Sequence, residues 1–184
     1  MSSDATGAIT ATDLRKEYGD LVALHDLNLT IRSGELVGLL GSNGAGKSTF
    51  LRIVAGLLEP TAGEISVAGN DAGSIEARAA LSFVGDQPAL YNDLSVREHI
   101  EYIAHVHGIE GWPPNADAVL DALNLSDRVD DLPARFSRGL RQKTGLVLGL
   151  VRPFSVLLVD EPFVGLDPAG QVALTGLLTA AAAA

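Results

Sequence analysis

Apolar positions in the first half of the chain follow the two patterns that are typical of β-strands. Alternating apolar and polar residues predict strands over 8–14 and 21–31, with a turn at Gly19-Asp20 between them. The continuous apolar run Leu36–Leu40 is typical of a strand that is buried on both faces, as in a parallel sheet. Similar apolar runs predict three further strands: 63–68, 81–85 and 155–160.

Helical periodicity and capping residues predict the remaining elements. Ser95-Val96-Arg97-Glu98 has the form of a capping box, and we expect the helix that it opens to run to about His107. Asp167 and Pro168 suit the N-cap and the first position of the last helix. The other predicted helices are Phe50–Leu58, 115–124 and 137–150, and the last helix covers 168–184.

This order of elements predicts an α/β fold. Strands dominate residues 1–86 and return after residue 150, whereas residues 87–150 are predicted to be helical. We therefore expect a single domain whose core consists of 1–86 and 151–184, with a helical subdomain at 87–150 inserted in the middle.

Composition excludes several classes of protein. The 184 residues include 13 Lys+Arg and 23 Asp+Glu, and the net charge of −10 argues against a nucleic-acid partner. The absence of cysteine excludes disulfide frameworks and thiolate zinc sites. The longest apolar runs are far shorter than the roughly 20 residues of a membrane-spanning helix. No secretory signal is readable at the N-terminus, so we expect a cytoplasmic protein.

The segment Gly41-Ser42-Asn43-Gly44-Ala45-Gly46-Lys47-Ser48-Thr49 matches the P-loop pattern in full. A predicted strand precedes it and a predicted helix follows it, which is the context that the motif requires. Glycines let successive backbone N–H groups face inward and cradle phosphates, and the helix N-terminus adds partial positive charge. Lys47 supplies a cation for the β- and γ-phosphates, and the Ser48 hydroxyl suits a Mg²⁺ ligand. The motif therefore predicts a nucleotide-binding site.

A second motif places two carboxylates after an apolar strand. Asp160 and Glu161 directly follow Val156–Val159. An aspartate at the end of such a strand can hold Mg²⁺ through water, and the next residue can orient or deprotonate an attacking water. Acidic residues commonly follow strands, so these two carboxylates indicate a Mg²⁺ and water site only in combination with the P-loop earlier in the chain.

Taken in order, these motifs resemble the nucleotide-binding cassette of ABC ATPases, and the resemblance covers nearly the whole chain. It rests on Tyr18, the P-loop, Gln87, Phe136-Ser137-Arg138-Gly139-Leu140, Asp160-Glu161 and Gly165-Leu166-Asp167. It implies a P-loop NTPase (RecA-like) core with an antiparallel β subdomain and an inserted helical subdomain.

The resemblance also implies roles for residues outside the P-loop. Tyr18 would stack on adenine; the alternative is a surface aromatic after a strand. Gln87 would touch Mg²⁺ and the attacking water and couple the core to the helical subdomain. Asp167 would lie in the D-loop at a dimer interface, and an N-cap role explains it almost equally well.

The signature motif differs from the Leu-Ser-Gly-Gly-Gln that is usual in the family. Ser137 and Gly139 are retained, and they would reach the γ-phosphate of ATP on the opposite subunit. Arg138 stands in place of one of the two glycines, and Leu140 stands in place of the glutamine. Similar Ser-Arg-Gly variants belong to bacterial exporter ATPases that pair with separate membrane subunits, of the kind that resemble drug and antibiotic exporters.

The histidines of this sequence match neither a metal site nor the family's switch histidine. The spacing of His99, His105 and His107 does not place three imidazoles on one helical face, so we expect a solvated helix and no zinc site. The family's switch histidine lies beyond the D-loop, whereas all 4 histidines of this sequence precede Glu161. We therefore expect that the C-terminal strands are missing and that the cassette is about 40 residues short. ATP binding relies on residues that are present and should survive, whereas hydrolysis should be much weakened if the missing segment is truly absent.

These observations lead to one function hypothesis and its alternatives. We expect an ATPase subunit of an ABC transporter that uses ATP and Mg²⁺, pairs with a second copy of itself around two nucleotides, and drives an integral membrane permease from the cytoplasmic face of the membrane. The alternatives are a soluble ABC ATPase that serves DNA repair or translation, a small P-loop kinase, and a non-catalytic nucleotide-binding or regulatory module. The transported substrate is not readable from this chain.

Overall fold

The computed structural model describes residues 7–183, which divide into two compact units. Unit 1 contains residues 7–82 together with Phe154–Leu158. Unit 2 contains Phe83–Pro153 and Val159–Ala183. The predicted subdomain boundaries after residues 86 and 150 stay a prediction.

Unit 1 is built on an antiparallel sheet of four strands. Strands β1 (Ile9–Tyr18), β2 (Leu21–Ile31), β3 (Ala62–Val67) and β4 (Asn70–Asp71) are arranged in the order β2-β1-β3-β4. Strands β1 and β2 form a hairpin in which Tyr18 pairs with Leu21 and Ile9 pairs with Ile31. The apolar side chains on one face of the sheet are buried, and Leu14 and Val67 are fully enclosed.

Helix α1 (Lys47–Val54) covers this sheet by packing against β2 and β3. Its buried face consists of Phe50, Leu51, Ile53 and Val54, a spacing that places these side chains on one side of a helix. The helix ends in a left-handed Gly56, and the N–H groups of Gly56 and Leu57 donate to the carbonyls of Ile53 and Arg52. A short helix, α2 (Ile75–Ala80), follows β4.

Strands β5 (Leu81–Val84) and β6 (Val156–Val159) form a separate two-stranded sheet. The Ser155 N–H donates to the Ala80 carbonyl, and the Asp160 N–H donates to the Val84 carbonyl. Because these bonds advance together along both segments, the two strands are parallel.

Unit 2 is mainly helical. It contains α3 (Val96–Val106), α4 (Ala116–Ala122), α5 (Arg138–Val151) and α6 (Pro168–Ala183). Helix α5 packs against α3 and α4, and α6 also packs against α4. The buried apolar residues of this unit include Ile100, Leu120, Leu123, Leu146, Val147 and Leu174.

The predicted capping box of α3 is present in full. The Ser95 hydroxyl accepts a hydrogen bond from the Glu98 N–H at 3.2 Å, and the Glu98 carboxylate accepts from the Ser95 N–H at 2.7 Å. The Ser95 N–H and, at 2.8 Å, the Ser95 hydroxyl both donate to the Glu98 carboxylate, and these two bonds lower the pKa of Glu98. The carboxylate therefore keeps stabilising the start of α3 as the pH falls to the ordinary glutamate range, and the stabilisation is lost only as the pH falls through the lowered pKa.

The prediction of a buried strand at Leu36–Leu40 is wrong. Each strand in the described residues pairs with another strand of its own sheet, and none pairs with this segment. The segment is exposed, with Leu40 at 96% exposure. An extended run becomes a strand only when a neighbour satisfies its N–H and C=O groups, and no such neighbour lies beside it within residues 7–183.

The other differences are smaller. Helix α1 begins at Lys47 rather than Phe50, because the P-loop leads directly into it, and it ends at Val54. Helix α2 was not predicted at all. Its signal is the N-cap Ser74, whose hydroxyl accepts from the Ala77 N–H at 3.2 Å.

Replacement of Ser95 by alanine tests the contribution of the capping box. We expect Ser95→Ala to lower the free energy of unfolding by about 1 kcal/mol, because the Glu98 N–H loses its acceptor and the Glu98 carboxylate loses one of its two donors. Urea denaturation followed by circular dichroism measures this change. Ser95→Thr keeps the oxygen and is the control; equal midpoints for the alanine and threonine variants would contradict the assignment.

Candidate nucleotide-binding site

The glycine-rich loop of unit 1 turns sharply into α1. Gly44 and Gly46 both have a φ of 85°, a left-handed conformation that favours glycine. The Ala45 N–H donates to the Ser42 carbonyl at 3.1 Å, and the Phe50 N–H donates to the Gly46 carbonyl at 2.8 Å. The N-cap Gly46 has no side chain to cover the first N–H groups of α1. These groups and the positive end of the helix dipole therefore remain available to an anion.

Gly46 also brings the loop into close contact with β2. A Cβ at this position would overlap the Ala23 carbonyl oxygen and would lie 2.8 Å from the Leu24 Cδ2. Gly44 has the same φ but no neighbour within 4 Å. Glycine is thus required at 46 for both conformation and space, and at 44 for conformation alone.

The Lys47 side chain folds back onto its own loop. Its ammonium donates to the Gly41 carbonyl at 2.8 Å and to the Ser42 carbonyl at 3.0 Å. The positive charge is therefore held at the mouth of the loop, beside the N-terminus of α1. Ser48 and Thr49 follow in the first turn of α1 and are half-buried.

Tyr18 ends β1 and is 48% exposed. The Lys16 ammonium lies 5.2 Å from the centre of the Tyr18 ring and donates to the Glu59 carbonyl at 2.7 Å. This cation–π contact fixes one side of an aromatic ring that is otherwise open to solvent. Sequence reasoning did not identify Lys16. The signal was its position two residues before Tyr18 in a strand, which places both side chains on one face.

In unit 2, Asp160 and Glu161 follow β6, but their environments differ. Asp160 is 5% exposed, whereas Glu161 is exposed and has a φ of 51°. The Val164 N–H donates to the Glu161 carbonyl at 3.2 Å and closes a tight turn. A left-handed backbone at a non-glycine residue costs of the order of 1 kcal/mol, and such strain is concentrated at functional sites.

Gln87 lies in the loop between β5 and α3 and is exposed. The next residue, Pro88, packs on α5 at Gly145, where a Cβ would lie 2.6 Å from the Pro88 Cβ. The segment that carries Gln87 is therefore attached to the helix that follows the signature motif.

The signature residues form the start of α5. The Ser137 hydroxyl accepts from the Leu140 N–H at 3.3 Å, so Ser137 is the N-cap. Arg138 is exposed. Gly139 packs directly on Gly165, whose carbonyl oxygen occupies the space that a Cβ on Gly139 would need.

A second contact joins α5 to the segment around Asp167. The Lys143 ammonium lies 3.5 Å from the Asp167 Oδ1, and the Lys143 side chain is 12% exposed. The same Asp167 oxygen accepts from the Gly170 N–H at 3.3 Å, which makes Asp167 the N-cap of α6. The signature motif and the Gly165-Leu166-Asp167 segment are thus packed together in unit 2.

The predicted solvated histidine helix is wrong at one position. His99 is 3% exposed, while His105 is exposed and His107 is half-buried. Burial, together with the nearby Arg152, lowers the pKa of His107. The difference arises because α3 packs on α5 through the face that carries His99. In the described part of the chain, no group of histidines and carboxylates could hold a metal ion.

The arrangement in unit 1 suits a phosphate ligand, and residues 24–164 match the family model described as "ABC transporter". The chain belongs to the ABC transporter family. The P-loop NTPase fold that was expected from the resemblance is confirmed by a solved ATP-binding subunit of an ABC transporter, which has a TM-score of 0.85 and 30% identity over 96% of this chain and 75% of that one. A bacterial Atm1-family ABC exporter with ATP bound has a TM-score of 0.82 at 24% identity, over 99% of this chain and 33% of that one, and shows the fold alone.

Curated ABC relatives include a protein named for drug resistance and a protein named for import. Daunorubicin resistance ATP-binding protein DrrA3 of Streptomyces coeruleorubidus is 36% identical over 91% of this chain and 54% of its own length. Sulfate/thiosulfate import ATP-binding protein CysA 1 of Chromobacterium violaceum is 38% identical over 87% of this chain and 47% of its own length. This ABC chain thus spans about half the length of these relatives. Between residues 7 and 183, no helix is both long and apolar enough to cross a membrane.

Replacement of Gly139 by alanine tests the contact between the signature motif and Gly165. We expect Gly139→Ala to lower the free energy of unfolding by about 1–3 kcal/mol, because the methyl group overlaps a backbone carbonyl. Gly176→Ala in α6 is the matched control, since no atom lies within 4 Å of its Cβ position. The control should raise stability by about 0.5–1 kcal/mol. Urea unfolding measures both, and a stabilised Gly139→Ala variant would refute the contact.

Proposed function

We propose that this chain is the ATP-binding and ATP-hydrolysing part of an ABC transporter, and that it drives a separate membrane permease in export. The observation that carries the proposal is the P-loop, whose left-handed glycines leave the N-terminus of α1 uncovered beside the Lys47 ammonium. ATP has three phosphate groups, and such a site attracts their negative charge. Membership of a family whose members are generally ATPases supports the same conclusion.

In unit 1, the loop residues and Tyr18 bind the nucleotide. The phosphates lie against the N–H groups of the loop and the first turn of α1, and the Lys47 ammonium leaves the Gly41 and Ser42 carbonyls to bind the β- and γ-phosphates. Tyr18 stacks on adenine with the ring face that Lys16 does not cover. The full set of nucleotide-binding residues is Tyr18, Gly41, Ser42, Asn43, Gly44, Ala45, Gly46, Lys47, Ser48 and Thr49.

Mg²⁺ fits the chemistry of the remaining polar residues. Ser48, Asp160 and Gln87 offer a hydroxyl, a carboxylate and an amide oxygen, and Mg²⁺ prefers oxygen ligands. Asp160 is buried at the end of a strand, where a carboxylate needs a cation or hydrogen-bond donors. When bound, the ion neutralises charge on the phosphates.

Glu161 acts on the attacking water. Its carboxylate is exposed, and its backbone is held in a strained turn that sets its direction independently of the buried Asp160. It orients the water and accepts a proton as the oxygen attacks the γ-phosphate. Gln87 contributes to the same water site.

A second copy of the chain completes each site. Ser137, Arg138 and Gly139 stand at the N-terminus of α5, which offers N–H groups and a positive dipole to the γ-phosphate bound by the other copy. Asp167 lies beside the signature helix through its ion pair with Lys143 and belongs to the same dimer interface. Closure around two Mg-ATP and opening after hydrolysis then move the permease.

The proposed direction of transport rests on two observations. The Ser-Arg-Gly signature resembles that of bacterial exporter ATPases, and the relatives include proteins named for daunorubicin resistance and bacitracin transport. The chain acts at the cytoplasmic face of the membrane through the permease, and its net charge of −10 makes nucleic acid a poor partner.

Replacement of Lys47 tests the nucleotide site. We expect Lys47→Ala to abolish measurable ATP binding by isothermal titration calorimetry, because the cation at the loop is lost. Arg52→Ala is the matched control. Arg52 is exposed in the last turn of the same helix, so its replacement also removes one positive charge, but at a distance from the loop. Unchanged affinity in Lys47→Ala would refute the P-loop assignment.

Replacement of Glu161 tests hydrolysis and dimerisation together. We expect Glu161→Gln to bind ATP but not hydrolyse it, since the amide no longer accepts a proton, and so to accumulate an ATP-bound dimer. Size-exclusion chromatography with ATP and Mg²⁺ detects the dimer, and the same run with ADP is the control. A monomer under both conditions, with ATP bound, would contradict the dimer model.

A further inference from the structure

His99 is a buried polar side chain that the proposed mechanism does not use. It is 3% exposed, and both of its ring nitrogens have backbone partners. The Tyr91 N–H donates to Nε2 at 2.9 Å, and Nδ1 lies 2.8 Å from the Ser95 carbonyl oxygen.

These partners determine the protonation state of the ring. Since the Ser95 carbonyl only accepts hydrogen bonds, Nδ1 must carry the proton. Since the Tyr91 N–H only donates, Nε2 must present its lone pair. His99 is therefore the neutral Nδ1–H tautomer.

The segment that His99 holds is the one that follows Gln87. Pro88 packs on Gly145 of α5, and Tyr91 is fastened to α3 by the bond to His99. The Tyr91 ring lies 5.9 Å from the His99 ring and 5.9 Å from the Tyr102 ring. The loop is thus attached to two helices at positions 88 and 91, while Gln87 itself is exposed.

We propose that His99 is a positioning residue that fixes the loop carrying Gln87, by accepting the Tyr91 N–H on Nε2 while donating from Nδ1 to α3. The imidazole ring thus connects the Tyr91 N–H of the loop to the Ser95 carbonyl at the start of α3. The inference rests on the proposed function only in giving Gln87 a Mg²⁺ and water site; the attachment of the loop is independent of it.

The wild-type protein provides the first test. Nitrogen-15 spectra that resolve the histidine rings should show His99 as a single Nδ1–H tautomer, with a proton on Nδ1 and none on Nε2. The exposed His105 should show the mixture that is usual for a solvated ring. A proton on Nε2 of His99 would overturn the proposal, and no variant is needed for this result.

Two variants distinguish the loss of the hydrogen-bond acceptor at Nε2 from the loss of the ring itself. Glutamine places a carbonyl oxygen near the position of Nε2, whereas asparagine reaches only the position of Nδ1. We expect exchange of the Tyr91 amide with solvent to be roughly tenfold faster in His99→Asn, which corresponds to the loss of one hydrogen bond, and near the wild-type rate in His99→Gln. His105→Asn is the control on the same helix. Equal exchange rates in the asparagine and glutamine variants would refute the acceptor role.

A binding measurement connects the attachment to Gln87. ATP affinity with Mg²⁺ should fall several-fold in His99→Asn and recover in His99→Gln, while affinity in EDTA stays unchanged. An equal loss of ATP affinity with and without Mg²⁺ would indicate that His99 has a merely structural role. If no form of the chain binds ATP, the proposed function fails, and the tautomer and exchange results still decide the attachment of the loop.

Discussion

The contact between Gly46 and the backbone of β2 determines the geometry of unit 1 around the P-loop. A residue with a side chain would push the loop away from Ala23 and Leu24, and it would also resist the φ of 85°. With glycine there, the chain turns within a few residues and α1 begins at Lys47, with its apolar face on β2 and β3. The same contact that starts the helix also leaves its first N–H groups without a capping side chain. The packing of the loop and the exposure of these N–H groups therefore have one origin.

Unit 2 uses close backbone approach in a similar way. Gly139 meets Gly165, and Gly145 meets Pro88, so that the loops that carry Gly165 and Pro88 lie directly on α5. The Lys143–Asp167 ion pair adds a polar attachment at the same end of the helix. Movement of α5 would therefore be transmitted to both loops without long side chains between them. Because glycine contacts have no rotamers to adjust, such coupling is stiff.

Local patterns predicted much of the fold and the motif residues. Strand β2 has the predicted bounds, and the capping box of α3 has the predicted bonds, because alternation and capping act over a few residues. Leu36–Leu40 was mispredicted because a strand depends on a neighbour that periodicity does not specify. His99 was mispredicted because spacing along one helix does not reveal which face a second helix covers. The contacts of Gly139 and Lys143 were missed for the same reason, since their partners are distant in sequence.

The hydrogen bonds of Lys47 have a consequence for the selection of ligands. The ammonium is already bonded to the carbonyls of Gly41 and Ser42, so an anion that enters the loop replaces two contacts rather than meeting a free cation. A ligand with a single negative charge gains little from this exchange. A polyphosphate offers several charged oxygens to the ammonium and to the helix N–H groups at once, and it recovers more than the exchange costs. The proposed nucleotide site would therefore favour anions with several charges over anions with one.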